Sequence, residues 1–123
     1  VMACFRLPKA TDKDKLSRRA AIDAATLFAA EVPYETAKIA VDLLELLPDL
    51  ARHGNANAVT DVGVAGLLAS AAAKGALFNV EINLNSLPPE AGGHIRESLQ
   101  MLKEASRLYS RQVMDAVRDR MES

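Results

Sequence analysis

The chain has 123 residues, half of them hydrophobic, and a formal net charge of -1. This length describes one domain able to bury roughly two-thirds of its unfolded surface, and without a basic excess nucleic acid is excluded as a partner. The single Cys4 excludes an internal disulfide and is typical of a reducing compartment. No apolar run is long enough to span a bilayer, and the first residues lack the pattern of a signal peptide. We therefore expect a cytoplasmic protein with no membrane partner.

The N-terminal segment predicts two helices. Val1–Phe5 has the pattern of the last turn of an apolar helix, which Pro8 would end. Thr11 and Asp14 have the spacing of a capping box, so an amphipathic helix is expected from Asp12 to about Ala30. The basic residues of its first turns predict a solvated face.

A proline step separates this helix from the next one. Proline has no amide hydrogen and the residue before it avoids the helical region, so Val32–Pro33 is expected to break or kink the chain. A second amphipathic helix is expected from Pro33 to about Arg52, with a kink at Pro48 and an end at Gly54.

The stretch from Gly54 to Leu84 has an unusual composition. It begins with a polar turn and continues mainly in alanine, glycine, valine and leucine, and between Thr60 and Gly75 only Asp61 and Lys74 are charged. A helix that is apolar nearly all round is expected to be buried against several neighbours. Its small side chains would let another backbone or a flat ligand approach closely. Gly75 is expected to end this helix.

The rest of the chain also predicts helices. Residues 77–84, LFNVEINL, alternate like a strand, but no second strand candidate exists, so we expect a short buried helix. A loop rich in proline and glycine follows, and a long amphipathic helix begins at about Pro89 or His94. The prediction is a single all-α domain over residues 1–123, a multi-helix bundle around the small-residue helix. Because these helices cannot enclose that helix, association into an oligomer is expected.

Two segments resemble a known family. GNANAVTDVGVAGLLASAAAKGALFNVEINL, residues 54–84, and LPKATDKDKLSRRAAIDAATLFAAEVPYETA, residues 7–37, are similar in order and spacing to the cyclodeaminase/cyclohydrolase family of folate enzymes. This family includes the cyclodeaminase half of formimidoyltransferase-cyclodeaminase and the free-standing methenyltetrahydrofolate cyclohydrolases. The resemblance extends over about residues 1–87 and concerns only the C-terminal portion of the family domain.

The resemblance implies a helical dimer with a folate cleft near the subunit interface, and a tetrahydrofolate derivative as substrate. The family's glycine-rich PTPGGG-type turn and the helices around it have no counterpart in this sequence. We therefore expect a fragment, a cleaved product or a truncated member. Its expected partner is a second copy in a homodimer, or the missing N-terminal segment.

Asp61 is the candidate catalytic residue. The family's two reactions are cyclodeamination of formiminotetrahydrofolate and hydrolysis of methenyltetrahydrofolate, and both need proton transfer but no metal. The sequence has no metal-ligand spacing, nucleophile elbow, Walker loop or dinucleotide fingerprint, which favours acid–base chemistry by a carboxylate or an amine. The alternative is that Asp61 is a first-turn carboxylate that bonds free backbone amides.

Five further residues are candidates for substrate binding. Asn55 and Asn57 match the family's GN-x-N step, and Lys9 matches the lysine of its LPK segment. Asn79 and Asn83 lie four residues apart on one helical face. Each has a structural alternative. Asn55 and Asn57 would be turn and cap residues, and Lys9 would be a solvated surface lysine. Asn79 and Asn83 would be core amides with satisfied hydrogen bonds. 

His53 is either a cation at a helix C-terminus or a proton-transfer residue.

Two classes of function remain open for the chain as a whole. The first is a folate-dependent enzyme, either cyclodeaminase or cyclohydrolase; the second is a non-catalytic helical interaction module or an inactive fragment. Binding of a reduced folate would separate them.

Overall fold

The computed structural model describes residues 1–123 and consists of three long helices without a strand. Helix α1 spans Asp12–His53, α2 spans Val59–Asn85 and α3 spans Gly93–Glu122. Short 3-10 turns at Met2–Arg6 and Ala56–Ala58 precede α1 and α2. Each long helix packs against the other two. The all-α prediction is confirmed.

The start of α1 follows from local sequence. Leu7 is extended before Pro8, and the N-terminal 3-10 turn has already ended at Arg6. The Thr11 hydroxyl accepts a hydrogen bond from the Asp14 amide at 3.0 Å, and the Asp14 carboxylate accepts one from the Thr11 amide at 3.4 Å. The predicted capping box is therefore present, and it sets the first residue of α1.

The expected break at Val32–Pro33 is wrong, because α1 continues through Pro33 and Pro48 as one helix of 42 residues. Pro33 cannot donate to the carbonyl of Ala29, which would normally be left without its helical partner. The side-chain amide of Asn83 on α2 donates to this oxygen at 3.3 Å. A group 54 residues away thus replaces the missing donor and supports the continuous helix.

The expected helix end at Gly75 is also wrong. Residues 77–84 are helical, as predicted, but they form the C-terminal part of α2 rather than a separate short helix. A glycine that ends a helix commonly does so in the left-handed region, and only Gly92 has a positive φ, of 71°. Gly92 stands immediately before α3, at the end of the connection that begins at Ser86.

Glycines on the buried side of α2 allow α3 to approach closely. A Cβ atom added to Gly66 would lie 2.8 Å from Cγ1 of Val113, and one added to Gly63 would lie 3.2 Å from Cγ1 of Val117. Val113 and Val117 are buried, in the core that all three helices share. The small residues of α2 therefore set its distance from α3.

The opposite side of α2 is not covered, contrary to the expectation that this helix is buried all round. With only α1 and α3 as neighbours, one side faces solvent. This outer face of α2 consists of five exposed large hydrophobic residues: Val64, Leu67, Leu68, Phe78 and Ile82. A second exposed stripe follows α1 at helical spacing: Phe28, Val32, Ile39, Leu43, Leu46 and Leu50. Such contiguous apolar surface is typical of an interaction site.

The composition of α2 also corrects the statement that no apolar run of the sequence is long enough to span a bilayer. By length and composition, Ala56–Asn85 is long and apolar enough to cross a membrane. A helix in the core of a folded domain meets the same criteria, and α2 packs against both α1 and α3. Of the most apolar 18-residue stretch of this helix 39% is buried inside the domain, and the outer face contains exposed apolar residues.

Two arginines of α3 bind the C-terminal ends of the other helices. Arg96 donates from Nε to the carbonyl of Ala91 at 2.8 Å, and from one terminal nitrogen to those of Leu84 at 2.9 Å and Pro88 at 3.3 Å. It thereby adds charge-assisted bonds to carbonyls at and just beyond the end of α2, and it fixes the connection to α3. Arg120 has the corresponding role at the end of α1.

Candidate functional site

A groove runs along the contact between α1 and α2. It consists of three successive surface cavities of about 490, 280 and 360 Å³. The first and second share Thr36 and Ala72, and Ala65 and Ala69 continue the floor into the third. We call it the α1–α2 groove. Its floor on α2 consists of alanines, which agrees with the expectation that small residues would leave room for a ligand.

Asp61 and Asn55 line one end of the α1–α2 groove. Asp61 lies in the first turn of α2, is exposed, and has neither a salt bridge nor a side-chain hydrogen bond. The bonding to backbone amides that the structural alternative required is therefore not formed, and the carboxylate is available to a ligand. The Asn55 side chain accepts a hydrogen bond from the Asn57 amide at 2.9 Å, as a cap of the 3-10 turn does. Asn57 is exposed and does not line the groove.

Arg120 holds this end of the groove in place. Its guanidinium donates to the carbonyls of Ala51 at 2.9 Å, Arg52 at 2.6 Å and Gly54 at 2.8 Å. These charge-assisted bonds satisfy the last carbonyls of α1 and fix the backbone next to Asn55. No local sequence pattern indicates this contact, because the partners lie 66 to 69 residues apart.

Asn79 and Asn83 line the other end, together with Pro33 and Thr36. Asn83 is half-buried and donates to the carbonyls of Ala29 and Asn79, at 3.3 and 2.8 Å. Its amide group is thus bonded to backbone, as the structural alternative proposed, while its oxygen has no protein donor. The Asn79 side chain is exposed and makes no hydrogen bond. This end therefore offers the free side-chain amide of Asn79 and the free side-chain oxygen of Asn83 beside an apolar floor.

The two ends are far apart within one chain. Because α2 is continuous, Asp61 and Asn79 are separated by 18 residues, about 27 Å, and Asp61 and Asn83 by about 33 Å. The structure brings Asp61 together with Asn55, and Asn79 together with Asn83. It does not bring the two pairs around one reacting atom in a single chain.

The remaining candidates lie outside the groove. Lys9 is exposed, precedes α1 and has no ion-pair partner. His53 is the exposed last residue of α1, where a cation favours the helix dipole. No group of three or more His, Cys, Asp or Glu side chains is arranged to hold a metal ion.

These features define an all-α domain with a long small-residue groove that has amide and carboxylate groups at its ends. The family profile described as formiminotransferase-cyclodeaminase matches residues 1–108. The chain therefore belongs to this family, and the resemblance found in the sequence is confirmed.

Named relatives agree with this assignment. The chain is 34% identical over 113 residues to a methenyltetrahydrofolate cyclohydrolase of Methylorubrum extorquens, with 90% of the chain and 54% of the relative aligned. It is 30% identical to the formimidoyltransferase-cyclodeaminase of Sus scrofa, with 97% of the chain and 22% of the relative aligned. It is 36% identical to the formimidoyltransferase-cyclodeaminase of Gallus gallus, with 72% of the chain and 16% of the relative aligned. The chain thus spans about half or less of each relative.

Proposed function

We propose that this chain serves folate-dependent one-carbon metabolism, by cyclodeamination of formiminotetrahydrofolate or hydrolysis of methenyltetrahydrofolate. The observation that carries the proposal is the α1–α2 groove, which lies within the family-matched residues and offers an unpaired carboxylate beside an alanine floor. The names of the relatives support the substrate class.

Asp61 has the chemistry that either reaction requires. As an acid it would deliver a proton to the departing ammonia in cyclodeamination, and as a base it would activate water at the methenyl carbon in hydrolysis. Its carboxylate makes no competing protein bond, and a flat pterin would fit over the alanines beside it. Asn55, Asn57, Asn79, Asn83 and Lys9 are proposed to bind the substrate.

The separation of the two groove ends favours a site built from two chains. In a homodimer whose two-fold axis is perpendicular to α2, the second copy of this helix runs antiparallel to the first. Asp61 of one copy would then approach Asn79 and Asn83 of the other, and part of the outer face of α2 would be covered. Association with a preceding segment of a longer chain is the alternative source of cover.

Substitution of Asp61 tests the catalytic role. Loss of a general acid or base costs about 10²–10⁴-fold in rate, so Asp61→Asn should reduce methenyltetrahydrofolate hydrolysis or formiminotetrahydrofolate cyclisation by this factor. Asp42→Asn is the matched control, because Asp42 is an exposed α1 carboxylate outside the groove. Unchanged rates in the Asp61 variant would contradict the assignment, even if the chain still binds folate.

Mixing of inactive variants tests the shared site. Chains with Asp61→Asn and chains with Asn79→Ala are refolded together in equal amounts. Random pairing makes about half of the dimers mixed. If each site uses Asp61 of one copy and Asn79 of the other, one of the two sites in each mixed dimer is intact, so about a quarter of the parent activity returns. Failure to recover activity, with mixed dimers present, would contradict a site that combines Asp61 of one copy with Asn79 of the other.

A non-catalytic interaction module is the second candidate. It is favoured by the exposed stripe of α1 and the outer face of α2, which together fit an apolar partner surface. A chain that associates but does not bind reduced folate by calorimetry would support this candidate and refute the enzyme.

A further inference from the structure

A second groove lies between α2 and α3 and carries an excess of positive charge. It has a volume of about 310 Å³, and three of its lining residues are cations: Lys74, Lys103 and Arg107. Glu81 is the only acidic residue in the lining, so the groove has a net charge of +2, whereas the chain as a whole has -1. We call it the basic groove.

Two of these cations have no counter-charge. Lys103 forms an ion pair with Glu81. Lys74 and Arg107 form neither a salt bridge nor a hydrogen bond to a protein group, although they face the same cavity from different helices. Lys103 and Arg107 are also one turn apart on α3, an arrangement in which like charges repel. An anion with two negative charges would neutralise the unpaired cations.

Ser106, in the lining of this groove, has a buried hydroxyl without a partner. The residue is 1% exposed, and its Oγ has no hydrogen-bond partner. Buried hydroxyls are bonded in the great majority of cases, and a serine inside a helix usually donates to the carbonyl four residues before it. Ser98 does so on the same helix, to His94 at 3.1 Å. Ser106 therefore has an unsatisfied donor beneath the lining of the groove.

The lining also has an apolar part. Leu77 is buried, while the Phe78 ring is 70% exposed and forms one wall of the groove. A ring exposed to this degree beside unpaired cations suits a ligand that is partly apolar, since burial of apolar surface and charge pairing then act on the same molecule.

We propose that the basic groove binds a small dianionic carboxylate with an apolar body, with Lys74 and Arg107 on its carboxylates, Ser106 donating to one oxygen and Phe78 against its apolar part. The site is separate from the α1–α2 groove, shares none of its lining residues and does not depend on the proposed folate chemistry.

Phthalate is a suitable probe, because it has two carboxylates on one ring. Succinate carries the same charge without the ring, and inorganic phosphate is an anion without an apolar body. Binding is measured for the full chain by calorimetry and amide chemical-shift changes at constant ionic strength. We expect phthalate to bind with a dissociation constant of about 1 mM, more tightly than succinate or phosphate.

Substitutions then locate the site. Lys74→Gln and Arg107→Gln should each weaken phthalate binding about tenfold, because each removes a charge-assisted bond, and Ser106→Ala should weaken it about threefold. Arg111→Gln is the matched control: it removes one exposed charge one turn from Arg107, outside the lining, and should change affinity by less than about twofold.

Three results would overturn the proposal. The first is absence of phthalate binding at about 10 mM, and the second is phosphate binding as tight as phthalate binding. The third is an equal loss in the Arg107 and Arg111 variants, which would indicate attraction by overall charge alone. Circular dichroism of each variant verifies that the helices are retained.

Discussion

Replacement of glycines in α2 by alanine tests the close packing of α2 on α3. In a helix interior, alanine is favoured over glycine by about 1 kcal/mol. At Gly75 nothing lies within 4 Å of the added Cβ atom, so Gly75→Ala should stabilise the fold by about this amount. At Gly66 the same atom would lie 2.8 Å from Cγ1 of Val113 and 3.2 Å from Cε of Met114.

The clash at Gly66 is expected to exceed the gain in helix propensity. Met114 is flexible, but Val113 is fully buried and β-branched, so its χ1 angle is restricted and α3 must move. Overpacking of this kind costs about 1–3 kcal/mol, which leaves Gly66→Ala destabilised by up to about 2 kcal/mol after the gain of about 1 kcal/mol. The two variants should therefore differ by about 1–3 kcal/mol.

Urea denaturation followed by circular dichroism measures this difference in the free energy of unfolding, which corresponds to about 4–12 °C in Tm at about 4 °C per kcal/mol. Measurement at two protein concentrations separates folding from association, since an alanine at Gly75 can contact only a partner chain. A Gly66→Ala variant as stable as Gly75→Ala would refute the packing distance between α2 and α3.

Three further substitutions test contacts that the sequence did not reveal. Arg120→Ala should cost about 2 kcal/mol, since it leaves three carbonyls at the end of α1 without their donor, and Arg120→Lys should recover only part of this in thermal denaturation. Asn83→Ala should cost about 1 kcal/mol of stability in the parent but little in a Pro33→Ala background, where the amide of residue 33 can itself donate to the Ala29 carbonyl. Additive costs in this double-mutant cycle would contradict the role of Asn83 as the donor that replaces the Pro33 amide. Gly92→Ala should cost about 1–2 kcal/mol in urea unfolding because its φ is 71° and its Cβ would meet Leu84 at 3.1 Å, and an unchanged midpoint would argue against the left-handed turn.

Features encoded within a few residues were predictable from the sequence. The capping box of Thr11 and Asp14 and the extended Leu7 before Pro8 depend only on neighbours in the chain. The helical character of residues 77–84 was also predicted, because a lone strand would have no partner.

Features that depend on distant groups were missed or misjudged. Pro33 lies inside a helix, and Asn83, from another helix, satisfies the carbonyl that proline leaves free. Gly75 does not end α2, since no left-handed turn forms there, and the continuous helix then separates Asp61 from Asn79. Asp61 and Asn55 line the same end of the groove because they are close in sequence, whereas the distance between the two groove ends depends on the length of α2.

The contacts of Arg120 couple one end of the α1–α2 groove to the last turn of α3. Residue 120 lies beyond the family-matched residues 1–108, yet its guanidinium fixes the backbone that leads into Asn55. Fraying of the last turn of α3 would release all three carbonyls at once, without global unfolding. Amide hydrogen exchange around Gly54 should then report the opening of the C-terminal turn of α3, so the order of this groove end depends on a turn 66 residues further along the chain.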